Sequence, residues 1–175
     1  FEVGGEVVFD AFVSSNPPAR ELSQFELSPS RSSWDQLGAV VRFIVDPSSG
    51  TCRRQLLLPG VHRVGHATSH ADRLWFIEND PHESLSATLW SVRGDDHLAR
   101  WRTPEPVLLR QPHPIPKPGH RGAWVVVPAF TPDETQLWIF DGEAVSAGPV
   151  VRYGAGVVLP FGNHGTAWAA REHGP

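Results

Sequence analysis

Gly38-Ala-Val-Val-Arg-Phe-Ile-Val-Asp-Pro-Ser-Ser-Gly-Thr-Cys-Arg-Arg-Gln-Leu-Leu-Leu58 is the stretch whose reading decides the fold. Its first half is rich in β-branched and aromatic residues, which favour the pleated backbone. Asp46-Pro47-Ser48-Ser49-Gly50 then supplies turn residues, and Thr51 to Leu58 returns as a second apolar-ended run. Strand, tight turn and strand make a β-hairpin.

The same reading extends outward in both directions. Glu6–Val13 is a strand bounded by Gly4-Gly5 and by Ser14-Ser15-Asn16-Pro17-Pro18, while residues 14–36 form either a helix or a long loop. Downstream, Arg73–Glu78 and Ala87–Val92 flank a polar loop and are followed by Leu98–Arg102 and Pro106–Arg110. Ala123–Phe130 is joined through Thr131-Pro-Asp-Glu134 to Thr135–Phe140, and Pro149–Tyr153 closes the series. Short strands at even spacing, most carrying an aromatic residue, predict an all-β propeller or sandwich. No convincing amphipathic helix interrupts them, and no sequence repeat fixes a blade length.

Composition agrees and narrows the function. The 175 residues include 17 prolines, 16 glycines and seven tryptophans, a balance that favours many short segments and turns. With 40% hydrophobic and 19% charged residues the chain is of one-domain size, read as a single region over 1–175. The net charge of -4 and the scattering of 15 basic residues exclude a nucleic-acid surface. Cys52 is the single cysteine and forms no internal disulfide, so nothing points to an oxidising compartment. No stretch approaches the roughly 20 apolar residues of a spanning helix, and residue 1 does not open a signal peptide, so a cytoplasmic location is expected. The chain contains no methionine and opens on Phe1-Glu2-Val3, which predicts a fragment of a longer protein.

Near the end stands Val157-Val-Leu-Pro-Phe-Gly-Asn-His-Gly-Thr-Ala-Trp168. Pro160 fixes a dihedral, and Gly162 and Gly165 permit a sharp turn on either side of His164, which aims one imidazole at a fixed point. A lone histidine in a turn is ordinarily solvated, so this chemistry alone does not make a ligand. His62, His66 and His70 recur at spacing four, which on a helix would align them for zinc. Gly60, Gly65 and Ser69 instead predict a loop with solvated histidines. His82, His97, His113, His120 and His173 lie in Pro, Gly and Asp-rich turns and read as surface residues.

The string Leu159 to Trp168 resembles the closing motif of the carotenoid cleavage oxygenase family, shortened so that Pro160 serves for both of the family's prolines. Asn163 stands where that family has an aromatic residue. Phe1 to Asp10, Gly38 to Gly50, Glu105-Pro-Val-Leu-Leu109, Leu137-Trp-Ile-Phe-Asp141 and Pro149-Val-Val-Arg152 resemble further family segments in family order. The resemblance implies the C-terminal portion of a seven-bladed β-propeller, about three blades. It also implies a non-haem iron(II) dioxygenase that cleaves a carbon–carbon double bond of a carotenoid, apocarotenoid or stilbene-like substrate. Four neutral imidazoles hold the iron in that family, a ligand set suited to ferrous iron.

Carried over by position, His164 matches the fourth metal ligand, and Glu105 matches an outer carboxylate that accepts the N–H of a ligand histidine. No residue here matches a catalytic acid or base. The other three ligands would lie outside these residues, so the fragment alone should be inactive. Two departures favour the alternative of a non-catalytic propeller or sandwich module binding apolar ligands. Gly60-Val-His-Arg63 stands where the family has a second outer glutamate, and Gly119-His-Arg-Gly122 replaces an acidic run. Phe161 and Trp168 suit either an apolar tunnel or the core, with core packing the ordinary role. The implied partners are dioxygen and an apolar polyene or stilbene-like molecule; peripheral membrane contact, which family members use to collect lipophilic substrates, stays open.

Overall fold

The computed structural model describes residues 2–14, 38–61, 64–80, 86–94, 97–120 and 122–158. Among these residues thirteen strands run in chain order: β1 (Glu2–Val3), β2 (Glu6–Ser14), β3 (Gly38–Asp46), β4 (Thr51–Val61), β5 (Val64–His70), β6 (Arg73–Asp80), β7 (Ser86–Arg93), β8 (His97–Arg102), β9 (Leu108–Leu109), β10 (His113–Pro116), β11 (Ala123–Phe130), β12 (Thr135–Asp141) and β13 (Pro149–Gly154). They form three antiparallel sheets, with spatial orders β1-β2-β3-β4, β5-β6-β7-β8 and β10-β11-β12-β13, β9 adding to β11. Neighbours in sequence are neighbours in each sheet, the meander expected of short strands joined by tight turns. Among the described residues the one helical element is a 3-10 turn, Val145–Ala147.

The chain divides into two compact units, Phe1–Val64 with Glu78–Glu83 and Gly65–Ile77 with Ser84–Pro175. The first holds the hairpin that decided the fold. Its β3–β4 ladder runs from Asp46↔Thr51 to Gly38↔Val61 with two irregularities in register. At the turn, Asp46 Oδ1 accepts from the Ser48 backbone N–H at 2.8 Å and the Ser48 hydroxyl at 2.6 Å, and Oδ2 from the Ser49 hydroxyl at 2.7 Å. These bonds to the charged form, Ser48's first, hold the Asp46 carboxyl down to about 2. On β2 and β3, Arg42 grips Asp10 with two bonds, Nε to Oδ1 at 2.8 Å and Nη2 to Oδ2 at 3.0 Å, both side chains buried.

In the second unit the sheet β5–β8 and the sheet β9–β13 share one core. Trp75, Ile77, Ala87 and Leu89 from the first meet Val125, Val127, Trp138 and Phe140 from the second, all essentially solvent-free. The alternation of β11, buried at Ala123, Val125, Val127 and Ala129, is the period-two pattern of a strand with one face inward. Trp101 meets Trp138 and Phe140 edge-on, at 5.6 and 5.3 Å between ring centres.

Four sequence expectations need correction. The described part of the Gly60–Ser69 stretch is not a loop: Gly60–Val61 ends β4 and 64–69 make up most of β5. His113 is not in a surface turn but opens β10, half-buried, where loss of solvation lowers its pKa below the ordinary 6.5. His97 likewise opens β8. Of the strand expected over Pro106–Arg110, only Leu108–Leu109 pairs. The 14–36 reading falls outside the described residues except at Ser14, the last residue of β2.

Candidate functional site

Glu105 sits in the connection between β8 and β9, and its neighbours explain why it is held there. Pro104 and Pro106 on either side lack an N–H and cannot extend either strand's ladder. Thr103, before them, is tied to β7: its N–H donates to the Ala87 carbonyl at 2.9 Å, and its hydroxyl accepts from the Ala87 N–H at 3.1 Å. Val107, after them, is fully buried. Between these two anchors Glu105 is exposed, and its Oε1 accepts from Arg152 Nη1 at 2.6 Å.

Arg152 begins a relay toward the end of the described chain. Its guanidinium lies 4.3 Å from the centre of the Trp138 ring, a cation–π contact between cross-strand partners of β12 and β13. Trp138 Nε1 donates to Gln136 Oε1 at 2.6 Å, and Gln136 Nε2 donates to Glu134 Oε1 at 2.9 Å. The other Glu134 oxygen accepts from the Gly156 N–H at 3.0 Å. A Cβ at Gly154 would lie 2.5 Å from Glu134 Oε2, so a larger residue there would push the carboxylate aside. The backbone adds Ala155 N–H to Thr135 O at 2.9 Å and Thr135 N–H to Val157 O at 3.0 Å. Glu105 and the stretch leading to His164 are thus joined through one set of contacts.

His164 itself lies outside the described residues, as do Phe161, Trp168, His62, His82 and His173. His66 and His70 belong to β5, so the helical alignment on which a zinc trio would depend is not present. Among the described residues no group of three or more His, Cys, Asp or Glu side chains could hold a metal.

A second feature was not singled out in the sequence. A cleft of about 470 Å³ opens beside the β5–β6 turn, lined by His70, Asp72, Arg73, Arg93, His120 and Glu143 among others. The turn places Ala71 at φ 53°, the one non-glycine residue with positive φ among the described residues. Arg73 is buried at the cleft and donates to the Ser91 hydroxyl at 3.0 Å; burial, then the neighbouring Arg93, lowers its pKa. Asp72 is spent on Arg93 at 2.8 Å, and this bond lowers the Asp72 pKa. Two arginines face two carboxylates, so the cleft has no net charge preference that would name a ligand. Its members come from turns far apart in the chain, which is why no spacing announced them.

The arrangement of antiparallel four- and five-stranded sheets is that of a β-propeller, and specifically the fold of the carotenoid cleavage oxygenases. The cobalt-substituted Synechocystis apocarotenoid oxygenase superposes with a TM-score of 0.70 at 17% identity, covering 97% of this chain and 38% of that one. Pseudomonas brassicacearum lignostilbene dioxygenase gives 0.65 at 14% identity, over 94% of this chain and 39% of that one. An ACO/RPE65 chimera gives 0.68 at 13% identity, over 94% and 37%. The chain therefore spans less than two-fifths of the length of these solved structures. No protein-family model and no curated protein matches the sequence.

Proposed function

We propose that these residues are part of an iron(II)-dependent dioxygenase that cleaves a carbon–carbon double bond of a carotenoid, apocarotenoid or stilbene-like substrate. The observation that carries this reading is the likeness of fold over 97% of the chain to an apocarotenoid oxygenase. The Leu159–Trp168 motif supports it from the sequence. In this reading His164 is one iron ligand, the remaining ligands come from outside these 175 residues, and iron(II) supplies the redox chemistry with dioxygen. The described residues do not fit a metal ion by themselves.

Glu105 is the outer carboxylate of this reading. A carboxylate offers about four lone-pair sites, so the bond from Arg152 leaves capacity for an imidazole N–H. The bond from Arg152 also holds the Glu105 carboxylate in one orientation, as a partner that fixes a histidine tautomer must be held. A cytoplasmic location and peripheral contact with a membrane accompany the proposal. No helix among the described residues is long and apolar enough to cross a membrane.

The test is metal analysis of the full-length protein after anaerobic reconstitution with iron(II), wild type beside His164→Ala. Near-stoichiometric iron in the wild type and a large loss in the variant are expected. Equal and negligible iron in both would sink the oxygenase reading and leave a module that binds apolar ligands without metal.

A further inference from the structure

The cleft beside the β5–β6 turn lies wholly within the second unit, and its net charge does not name a ligand. The state of each charged group does. Asp72 and Arg93 are spent on each other. Arg73 is not spent: it is 7% exposed and, among the described residues, its side chain makes one hydrogen bond, from Nη1 to the Ser91 hydroxyl at 3.0 Å. A guanidinium carries five N–H donors in a rigid fork and keeps its charge, so four donors remain for whatever enters the cleft that Arg73 lines. Burying such a group without acceptors is costly, and a ligand that supplies them recovers that cost.

The second unspent charge is Glu143, just beyond β12. Its backbone N–H donates to Asp141 Oδ1 at 3.0 Å, but its carboxylate accepts no hydrogen bond among the described residues. That carboxylate rests beside Gly122, where a Cβ would lie 3.0 Å from it. Glu143 acts on the charge of Arg73 without bonding to it. The neighbouring Asp141 is taken up by Lys117 at 2.7 Å, and Trp75 Nε1, at the floor, donates to the Gly142 carbonyl at 3.3 Å. One cation and one anion are therefore left over in a cleft of about 470 Å³, a volume within the range of small-molecule sites. A simple anion on Arg73 would be opposed by Glu143, and a simple cation at Glu143 by Arg73. A molecule carrying both charges satisfies both groups.

We propose that this cleft binds a small zwitterion, an amino acid, whose carboxylate takes the Arg73 fork and whose ammonium faces Glu143. The experiment is saturation-transfer NMR titration of the full-length protein with the standard amino acids as probes, followed by the deaminated and the decarboxylated analogue of each one that binds. At least one amino acid is expected to bind, and removing either its amine or its carboxylate should weaken binding at least about tenfold, the scale of one charge-assisted hydrogen bond. Glu143→Gln, a change at an exposed side chain, should weaken the amino acid by a similar factor and leave the deaminated carboxylate no weaker than before. Arg73→Lys, with its unfolding transition measured to verify the fold, should weaken both. Absence of binding by every amino acid overturns the proposal. A deaminated analogue that binds as well as its parent, with Glu143→Gln without effect, overturns it in favour of a site for a simple anion. Binding that survives both substitutions places the ligand elsewhere and overturns it too. His164→Ala should leave the titration unchanged, and a loss there would assign the ligand to a metal centre instead, so this result stands or falls separately from the oxygenase reading.

Discussion

The two units use the same strand chemistry to different ends. Phe140 and Phe9 are both aromatic residues on central antiparallel strands, each with an apolar cross-strand partner, Val125 and Phe43. Phe140 has no solvent exposure, and Phe9 keeps nearly half of its own. The difference lies in what stands opposite the sheet, since strand propensity and alternation are alike in both. Alternation therefore reports which residues share a face, while burial of that face depends on a second layer that the strand's own residues do not encode.

The sharpest way to break this contrast is a pair of truncations in the full-length protein. Phe140→Ala is expected to cost about 3–5 kcal/mol in denaturant unfolding, the range for removing a buried aromatic ring. Phe9→Ala should cost less than half as much, about 1–2 kcal/mol, because nearly half of that ring is already exposed and only the removed contact area counts. Equal costs would erase the difference between the two sheets and show that the first face is covered in the complete molecule.

The opposite side of the first sheet offers a comparison of similar size. Asp10→Ala leaves the buried Arg42 guanidinium without its two-bonded partner and is expected to destabilise by about 3–5 kcal/mol. Asp10→Asn, which keeps the shape but not the charge, should recover part of that loss in the same unfolding measurement. A cost below about 1 kcal/mol for Asp10→Ala would place this pair with exposed ion pairs of little worth.

The smallest effect concerns the hairpin turn. Asp46 has a folded-state pKa of about 2 against an ordinary 3.8, so its contribution is fully present above pH 3.8 and is lost as pH falls through about 2. Acid unfolding monitored between those values should therefore show a dependence that Asp46→Asn removes. Identical acid profiles for the two proteins would show that the serine bonds to Asp46 do not persist in solution.

Most strands were legible because branched and aromatic runs are punctuated by glycine, proline and serine. β5 was not, since Gly65, His66, Ser69 and His70 have little strand preference and only pairing with β6 makes them extended. β10 was hidden by Pro114 and Pro116, which suit a strand only at a sheet edge, where β10 lies. Glu105 was singled out by resemblance, but its bond to Arg152, 47 residues away, could not be read from spacing. The relay from Arg152 through Trp138 to Glu134 is likewise a product of β12–β13 register.

The pinning of Val157 has a consequence for reach. His164 follows it by seven positions, and a fully extended chain spans at most about 3.6 Å per residue, so the imidazole-bearing backbone stays within roughly 25 Å of a fixed point. One group confined to a sphere of that radius has an effective concentration on the order of 10 mM. In the proposed iron centre, His164 would therefore meet the other ligands of the same chain intramolecularly, with odds set by the length of chain beyond Val157 and indifferent to how dilute the protein becomes.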